Sequence, residues 1–375
     1  MNRNLLFVAL ALLLWGFGEG MFFNFVPIYL DKQFLLSKYE IGWVLGAFGF
    51  SMAVTHIPAG FLADRIGRRP LLITAWVLGL VSALVMGSAL VLPLFLIGLF
   101  GYGLTAFVSS PLSSYITAAR GKWPVGTALS FGTATFALGM VLGPVTGGWI
   151  GDNYGMRMSF LVAAAIFVVS NVCIFFIERQ PIDHHDPEAP PPDLLSNRRF
   201  LLLMGVLAFA MFAMYLSQPL TPNFLEGVRG LSLSGTGMIF TAGALGNSLM
   251  AILFSRVPPR RGFLLAQALV ILFAFFIWKG ASLPVFALGY FLLGGFRAAR
   301  PLALAQAREL VHDSQMGVTY GIMETISAVI FVFTPPLAGI LFEYDPASVY
   351  PLSIGLIAAS IIVSYLFSPQ KVNHA

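Results

Sequence analysis

Twelve apolar runs follow one another along the chain, at about 4–30, 41–62, 71–89, 91–118, 124–150, 157–177, 200–225, 233–254, 263–278, 282–306, 316–342 and 347–368. Crossing the hydrocarbon of a bilayer takes about 20 apolar residues, and a helix does it because every backbone N–H and C=O is satisfied within the segment. A β-barrel would instead need alternating segments of about ten residues. The residue balance agrees with the runs. Of 375 residues 58% are hydrophobic and 10% charged, and the mean hydropathy is +0.86. A water-soluble domain carries roughly a quarter charged residues. Most of this exterior must therefore meet lipid, and the expected fold is an all-α membrane protein of twelve transmembrane helices.

Location says more about the charges than their sum of +5. With both termini placed in the cytoplasm, the inner side collects Arg3, Arg65, Arg68, Arg69, Arg120, Lys122, Arg179, Arg198, Arg199, Arg256, Arg260, Arg261, Arg308 and Lys371. The outer side receives Lys32, Lys38, Arg157, Arg229 and Lys279. Basic residues gather on the cytoplasmic side of membrane proteins, so this bias sets the orientation and points to a multi-pass inner-membrane protein. These bases face lipid headgroups rather than nucleic acid. The opening Asn2-Arg3-Asn4 before an apolar run also suits a signal peptide, but the run continues to Leu30, well past an h-region of about 7–15 residues, and no small-x-small cleavage site follows it promptly. The lone Cys173 reads as a small packing residue.

One stretch interrupts the apolar pattern. From Glu178 to Arg199 the chain holds Asp183, His184, His185, Asp186, Glu188 and Pro190-Pro191-Pro192, a polar and proline-rich composition that reads as a linker. His184-His185 fits a solvated linker better than a metal site, and neither a metal nor a cofactor is expected. The linker at 178–199 divides the chain into a six-helix bundle at 1–177 and another at 200–375. The two halves also match each other in order. Leu92-Pro93-Leu94-Phe95 pairs with Leu283-Pro284-Val285-Phe286, and the same 191-residue offset pairs Gly126 with Gly317, Pro144 with Pro335, Gly148 with Gly339 and Asp152 with Glu343. Pro27-Ile28-Tyr29-Leu30-Asp31 pairs with Pro222-Asn223-Phe224-Leu225-Glu226, and Arg68-Arg69 with Arg260-Arg261. Two pseudo-symmetric six-helix bundles follow, and such repeats can rock about a site near the bilayer midplane.

Between the second and third runs lies Gly60-Phe61-Leu62-Ala63-Asp64-Arg65-Ile66-Gly67-Arg68-Arg69-Pro70. Gly60 lets helices approach, Gly67 permits a tight turn, and Asp64 suits a helix N-terminus or an arginine partner. A plain positive-inside loop would explain the arginines but not the acid and the two glycines. The segment resembles the loop 2–3 signature of the major facilitator superfamily, G-x-L-A-D-R-x-G-R-R, and the twelve runs, central linker and repeat extend the resemblance over the whole chain. The resemblance gives Gly60, Asp64, Arg65, Gly67, Arg68 and Arg69 the role of a conformational latch. The second copy, Ser255-Arg256-Val257-Pro258-Pro259-Arg260-Arg261-Gly262, lacks the acid.

In the fifth run, Gly132, Gly139, Gly143, Pro144, Gly147 and Gly148 combine close-packing glycines with a helix-bending proline. This resembles the helix 5 signature of the superfamily's antiporter branches and favours efflux, with ordinary small-residue packing as the other reading. Many proton-coupled relatives carry an arginine in helix 4, whereas Leu96-Ile97-Gly98-Leu99-Phe100-Gly101-Tyr102-Gly103 holds no base.

Charges within the runs each need a reason, because burial in lipid is costly. Glu19 lies about fifteen residues into its run, roughly 22 Å along a helix, and a carboxyl there is a candidate proton carrier. Its other reading is a carboxylate permanently held by an arginine or hydroxyl. Arg297 and Arg300 share one helical face. Arginine stays charged, so Arg297 is the candidate for gripping a carboxylate, phosphate or polar headgroup. Arg300 and Glu324 are expected to form a structural or gating pair. The resemblance implies that helices 1, 4, 7 and 10 line a central cavity, which makes Glu19, Asn24, Tyr102, Tyr215, Gln218 and Arg297 the substrate-binding candidates. Asn247 and Tyr320 are further polar groups, and His56 reads as a packing histidine.

The chain is thus expected to be a monomeric secondary active transporter, moving a small organic solute by alternating access with proton-coupled efflux. A nutrient uptake symporter or facilitator on the same fold is the alternative. No P-loop motif G-x-x-x-x-G-K-[ST] is present to drive transport with ATP, and no Ser/His, paired-Asp or H-E-x-x-H constellation suggests an enzyme.

Overall fold

A computed structural model describes residues 3–180, 197–311 and 316–367, with the side chains of 56–65 and 316–318 outside that description. The described residues form twelve helical segments in the order of the twelve apolar runs. They are α1 (Arg3–Phe34), α2 (Lys38–Ile66), α3 (Arg68–Ser88), α4 (Leu92–Ala119), α5 (Val125–Tyr154) and α6 (Met156–Phe175), then α7 (Arg198–Tyr215), α8 (Leu233–Phe254), α9 (Pro259–Lys279), α10 (Leu283–Leu292 and Gly294–Arg308), α11 (Met316–Tyr344) and α12 (Val349–Phe367). Among the described residues, ten of these are long and apolar enough to cross a membrane. The described stretch of α10 is broken at Leu293, just before Gly294-Gly295, where a helix bends easily.

The first helix of each half breaks at a matched place. α1 tightens into a 3-10 turn at Phe23–Phe25 ahead of Pro27. α7 ends at Tyr215, ten residues short of the expected 225, and the chain continues through Thr221–Asn223 and a π-turn at Phe224–Val228. Pro219 and Pro222 bring no N–H to the helical ladder, which accounts for the early end.

The chain gathers into two compact units. The first comprises Met1–Leu36, Ala47–Asp186 and Gly230–Thr241, and the second Ser37–Gly46, Pro187–Arg229 and Ala242–Ala375. The beginnings of α2 and α8 therefore sort with the opposite half from the one sequence order gives them. Most of the linker expected at 178–199 lies outside the described residues.

In the first unit α1 lies against α5 with almost no side chain between them. A Cβ at Gly139, Gly143 or Gly147 would fall 2.2, 2.6 and 2.0 Å from the carbonyl oxygens of Leu13, Phe17 and Met21. Gly139, Gly143 and Gly147 are thus a packing surface for α1, the close approach that small residues allow in lipid. Buried polar pins cross the same unit. Trp76 Nε1 donates to Ser170 Oγ at 2.8 Å, and that hydroxyl donates to the Ala11 carbonyl at 2.8 Å. In the second unit Gln267, which the 191-residue offset matches to Trp76, is fully buried. It donates to Ser364 Oγ at 3.0 Å and accepts from Ser360 Oγ at 2.8 Å. The pins differ in chemistry, yet both tie the third helix of a half to its sixth.

Candidate functional site

Each unit carries its own group of polar side chains within the apolar helices. In the first, Glu19 is half-buried on α1. Its Oε2 accepts hydrogen bonds from Trp15 Nε1 at 3.0 Å and from the Tyr102 hydroxyl at 2.8 Å. Trp15 stands one turn before Glu19 on the same helix face, and Tyr102 comes from α4. Rings fix both donors: Trp15 stacks on Phe167 at 4.6 Å and on Tyr102 at 5.9 Å, and Phe22 meets Tyr102 edge-on at 5.3 Å. Both donors are neutral, so they orient the carboxyl without adding a positive charge. Of the sequence candidates, the structure brings Glu19 and Tyr102 together. Asn24 lies in the 3-10 turn of α1, half-buried.

In the second unit, Tyr215 closes α7 between two rings. It stacks on Phe296 of α10 at 5.8 Å and meets Phe331 of α11 edge-on at 4.8 Å. Arg297 is exposed on α10. Arg300 pairs with Glu324 across α10 and α11. Gln218 sits in the turn after α7, where its side-chain amide donates to the Met214 carbonyl at 2.8 Å. Asn247 is half-buried on α8 and Tyr320 exposed on α11.

The loop 2–3 segment divides into described and undescribed parts. The side chains of His56, Gly60, Asp64 and Arg65 lie outside the described residues. Gly67 adopts φ 83°, a left-handed conformation that favours glycine and turns the chain from α2 into α3. Arg68 reaches Gln180 at 3.5 Å. Arg69 donates to the carbonyls of Ile177 at 2.6 Å and Phe175 at 3.0 Å, capping the C-terminus of α6 where the helix dipole favours a cation. In the degenerate second copy, Arg260 does the same for α12, donating to the Tyr365 carbonyl and lying 5.3 Å from the Tyr365 ring centre.

Sequence reasoning missed three features of these sites. Trp15 went unnoticed as a partner of Glu19, although the four-residue spacing was visible. The arginine caps on α6 and α12 bond to backbone, which carries no residue signature. The third feature is a pair of carboxylates. Asp152 accepts from the amides of Leu233 and Ser234 at 3.0 and 2.8 Å in the first unit, and Glu343 accepts from the amide of Tyr39 at 3.0 Å in the second.

The Major Facilitator Superfamily family model matches residues 8–257 and 203–375. Multidrug resistance protein 2 of Bacillus subtilis (strain 168) is 24% identical over 347 residues, covering 88% of this chain and 86% of that protein. Multidrug resistance protein MdtG of Proteus mirabilis (strain HI4320) is 25% identical over 363 residues, covering 92% and 85%. Among solved structures, the nucleoside transporter NupG superposes with a TM-score of 0.75 at 13% identity, covering 98% of each chain. The human organic anion transporter MFSD10 superposes with a TM-score of 0.70 at 18% identity, covering 96% of this chain and 99% of that one.

Proposed function

The chain belongs to the major facilitator superfamily, and from that premise we propose that it exports a small organic solute in exchange for protons. As a family member it is a multi-pass membrane transporter and not an enzyme. The direction rests on two supports: its relatives include multidrug resistance proteins, and its fifth helix carries Gly139, Gly143, Pro144, Gly147 and Gly148.

One observation carries the coupling: Glu19 is held by an indole N–H and a phenol, two neutral donors. Each of these donors orients the carboxyl without adding a positive charge of its own. Gain or loss of a proton then changes the charge of a membrane-embedded group by a full unit, the kind of change that shifts a balance between two conformations. Glu19 is the proton carrier in this reading, and Asn24, Tyr102, Tyr215, Gln218 and Arg297 are the residues that contact the solute. Gly60, Asp64, Arg65, Gly67, Arg68 and Arg69 serve as the conformational latch, and the Arg300–Glu324 pair as a gate or strut. The protein works as a monomer in the inner membrane with both termini cytoplasmic, as the basic residues favour.

The test uses purified protein in proteoliposomes and a fluorescent dye chosen by thermal-shift screening. Dye movement is expected to follow an imposed pH gradient, and Glu19→Gln is expected to abolish that response while leaving a folded protein. Movement that ignores the gradient and is unchanged in Glu19→Gln would remove the proton-antiport reading.

A further inference from the structure

We infer that the membrane-embedded face shared by α7, α10 and α11 binds an amphipathic organic anion, one negative group carried on a planar apolar ring. The inference deepens the transport reading and rests on it for the statement that the ligand is cargo.

Charge comes first. Arg297, Arg300 and Glu324 are the membrane-embedded ionic side chains of this face. Arg300 and Glu324 pair, so their charges offset each other and Arg297 leaves a net charge of +1. Among the described residues no carboxylate pairs with Arg297, although it lies close to the middle of the Leu283–Arg308 segment. Its side chain is exposed. A guanidinium at that depth cannot face hydrocarbon, and those within membrane spans almost always point to the protein interior or to a water-filled cavity. The α10 sequence agrees. From Gly294 to Arg308 the buried residues include Phe296, Ala299, Leu302, Ala303 and Gln306, whereas Arg297, Pro301 and Arg308 are exposed. The apolar side of the helix is packed, and the side bearing Arg297 is open.

Shape comes second. Phe296 precedes Arg297 and is buried against Tyr215, which also meets Phe331. Tyr215 and Phe331 remain half-exposed, so the helices that share this face with Arg297 also present aromatic surface. Aromatic side chains with one uncompensated guanidinium suit a ligand with an aryl body and one carboxylate, sulfonate or phosphate, which the planar fork of arginine can grip through two oxygens. An organic cation would meet the same rings but also an uncompensated like charge, which disfavours it.

The full-length protein in detergent, at one pH and without a gradient, provides the test. Naphthalene-1-sulfonate, 1-naphthol and 1-naphthyltrimethylammonium present one ring with a negative, neutral or positive group. The sulfonate is expected to raise the unfolding temperature and to bind most tightly. Arg297→Gln should weaken sulfonate binding at least about tenfold, leave naphthol binding unchanged, and be partly rescued by Arg297→Lys. The ligand series on the unmodified protein needs no variant to fold. Equal or stronger binding of the ammonium compound, no stabilisation by the sulfonate, or sulfonate binding indifferent to Arg297→Gln would each overturn the inference. Because no gradient is applied, these outcomes do not depend on proton coupling. Sulfonate binding without pH-driven movement would sink the coupling and leave the anion site standing.

Discussion

Removing the Asp152 carboxylate should loosen the first turn of α8 and leave the first turn of α2 untouched; removing Glu343 should do the reverse. The first amides of any helix lack intrahelical partners and sit at the positive end of its dipole. Asp152 serves two of them in α8, and Glu343 serves one in α2. Both acids are exposed, which places their contribution in the range of ordinary helix caps, about 1 kcal/mol for one amide and up to about 2 for two. A local opening equilibrium shifts about 5–30-fold for one or two kcal/mol. Amide hydrogen exchange reads this directly. In Asp152→Ala, exchange over 233–236 should rise by a factor in the upper part of that range. In Glu343→Ala, exchange over 38–41 should rise by a factor nearer the lower end. Asp152→Asn keeps an acceptor but loses the charge, and should fall between wild type and Asp152→Ala. If both alanine variants loosen both segments equally, or neither changes the segment it bonds, the carboxylates are not caps and the argument from these contacts fails.

Two further substitutions test the packing. Gly147→Ala places a Cβ 2.0 Å from the Met21 carbonyl oxygen, so α1 and α5 must part, at a cost of about 1–3 kcal/mol. Gly205→Ala in α7, where nothing lies within 4 Å of the added carbon, should be neutral or stabilising by up to about 1 kcal/mol. Paired thermal-unfolding curves that fail to separate these variants would refute the packing role of the helix 5 glycines. Trp76→Phe removes the donor to buried Ser170 and should destabilise by about 1–2 kcal/mol in the same assay; an unchanged unfolding temperature would show that this bond is dispensable.

The transmembrane architecture was open to reading because lipid imposes a length and an apolar content on every crossing. The interruptions were harder. The end of α7 at Tyr215 follows from Pro219 and Pro222, but an apolar count runs across them to 225. At the sites, what could be read were charges, since a carboxylate or guanidinium within an apolar run stands out by its cost. Hence Glu19, Arg297, Arg300 and Glu324 could be named from the chain alone. Apart from the Arg300–Glu324 pair, contacts between groups distant in sequence could not be read. Asp152 and Glu343 match in the repeat, yet the amides Asp152 serves lie 81 residues away and belong to the backbone. Trp15 is a different omission, because its spacing to Glu19 was in plain view and was masked by the many other aromatic residues.

The degenerate second loop separates two roles that the intact first loop combines. Between α8 and α9 the acid of the motif is absent, and Pro258-Pro259 replace the turn glycine. Arg260 nevertheless caps α12 as Arg69 caps α6. Each cap lies inside one unit and closes the last helix of a half onto its third, so it is needed wherever a six-helix bundle must hold together. The arginine cap therefore also serves the stability of the bundle, and each half supplies one: Arg69 in the first and Arg260, which pairs in sequence with Arg68, in the second. In the proposed latch reading, the acid answers a requirement present in only one half. Substitution of Arg69 should thus act first on folding, whereas substitution of Asp64 should act first on the rate of transport.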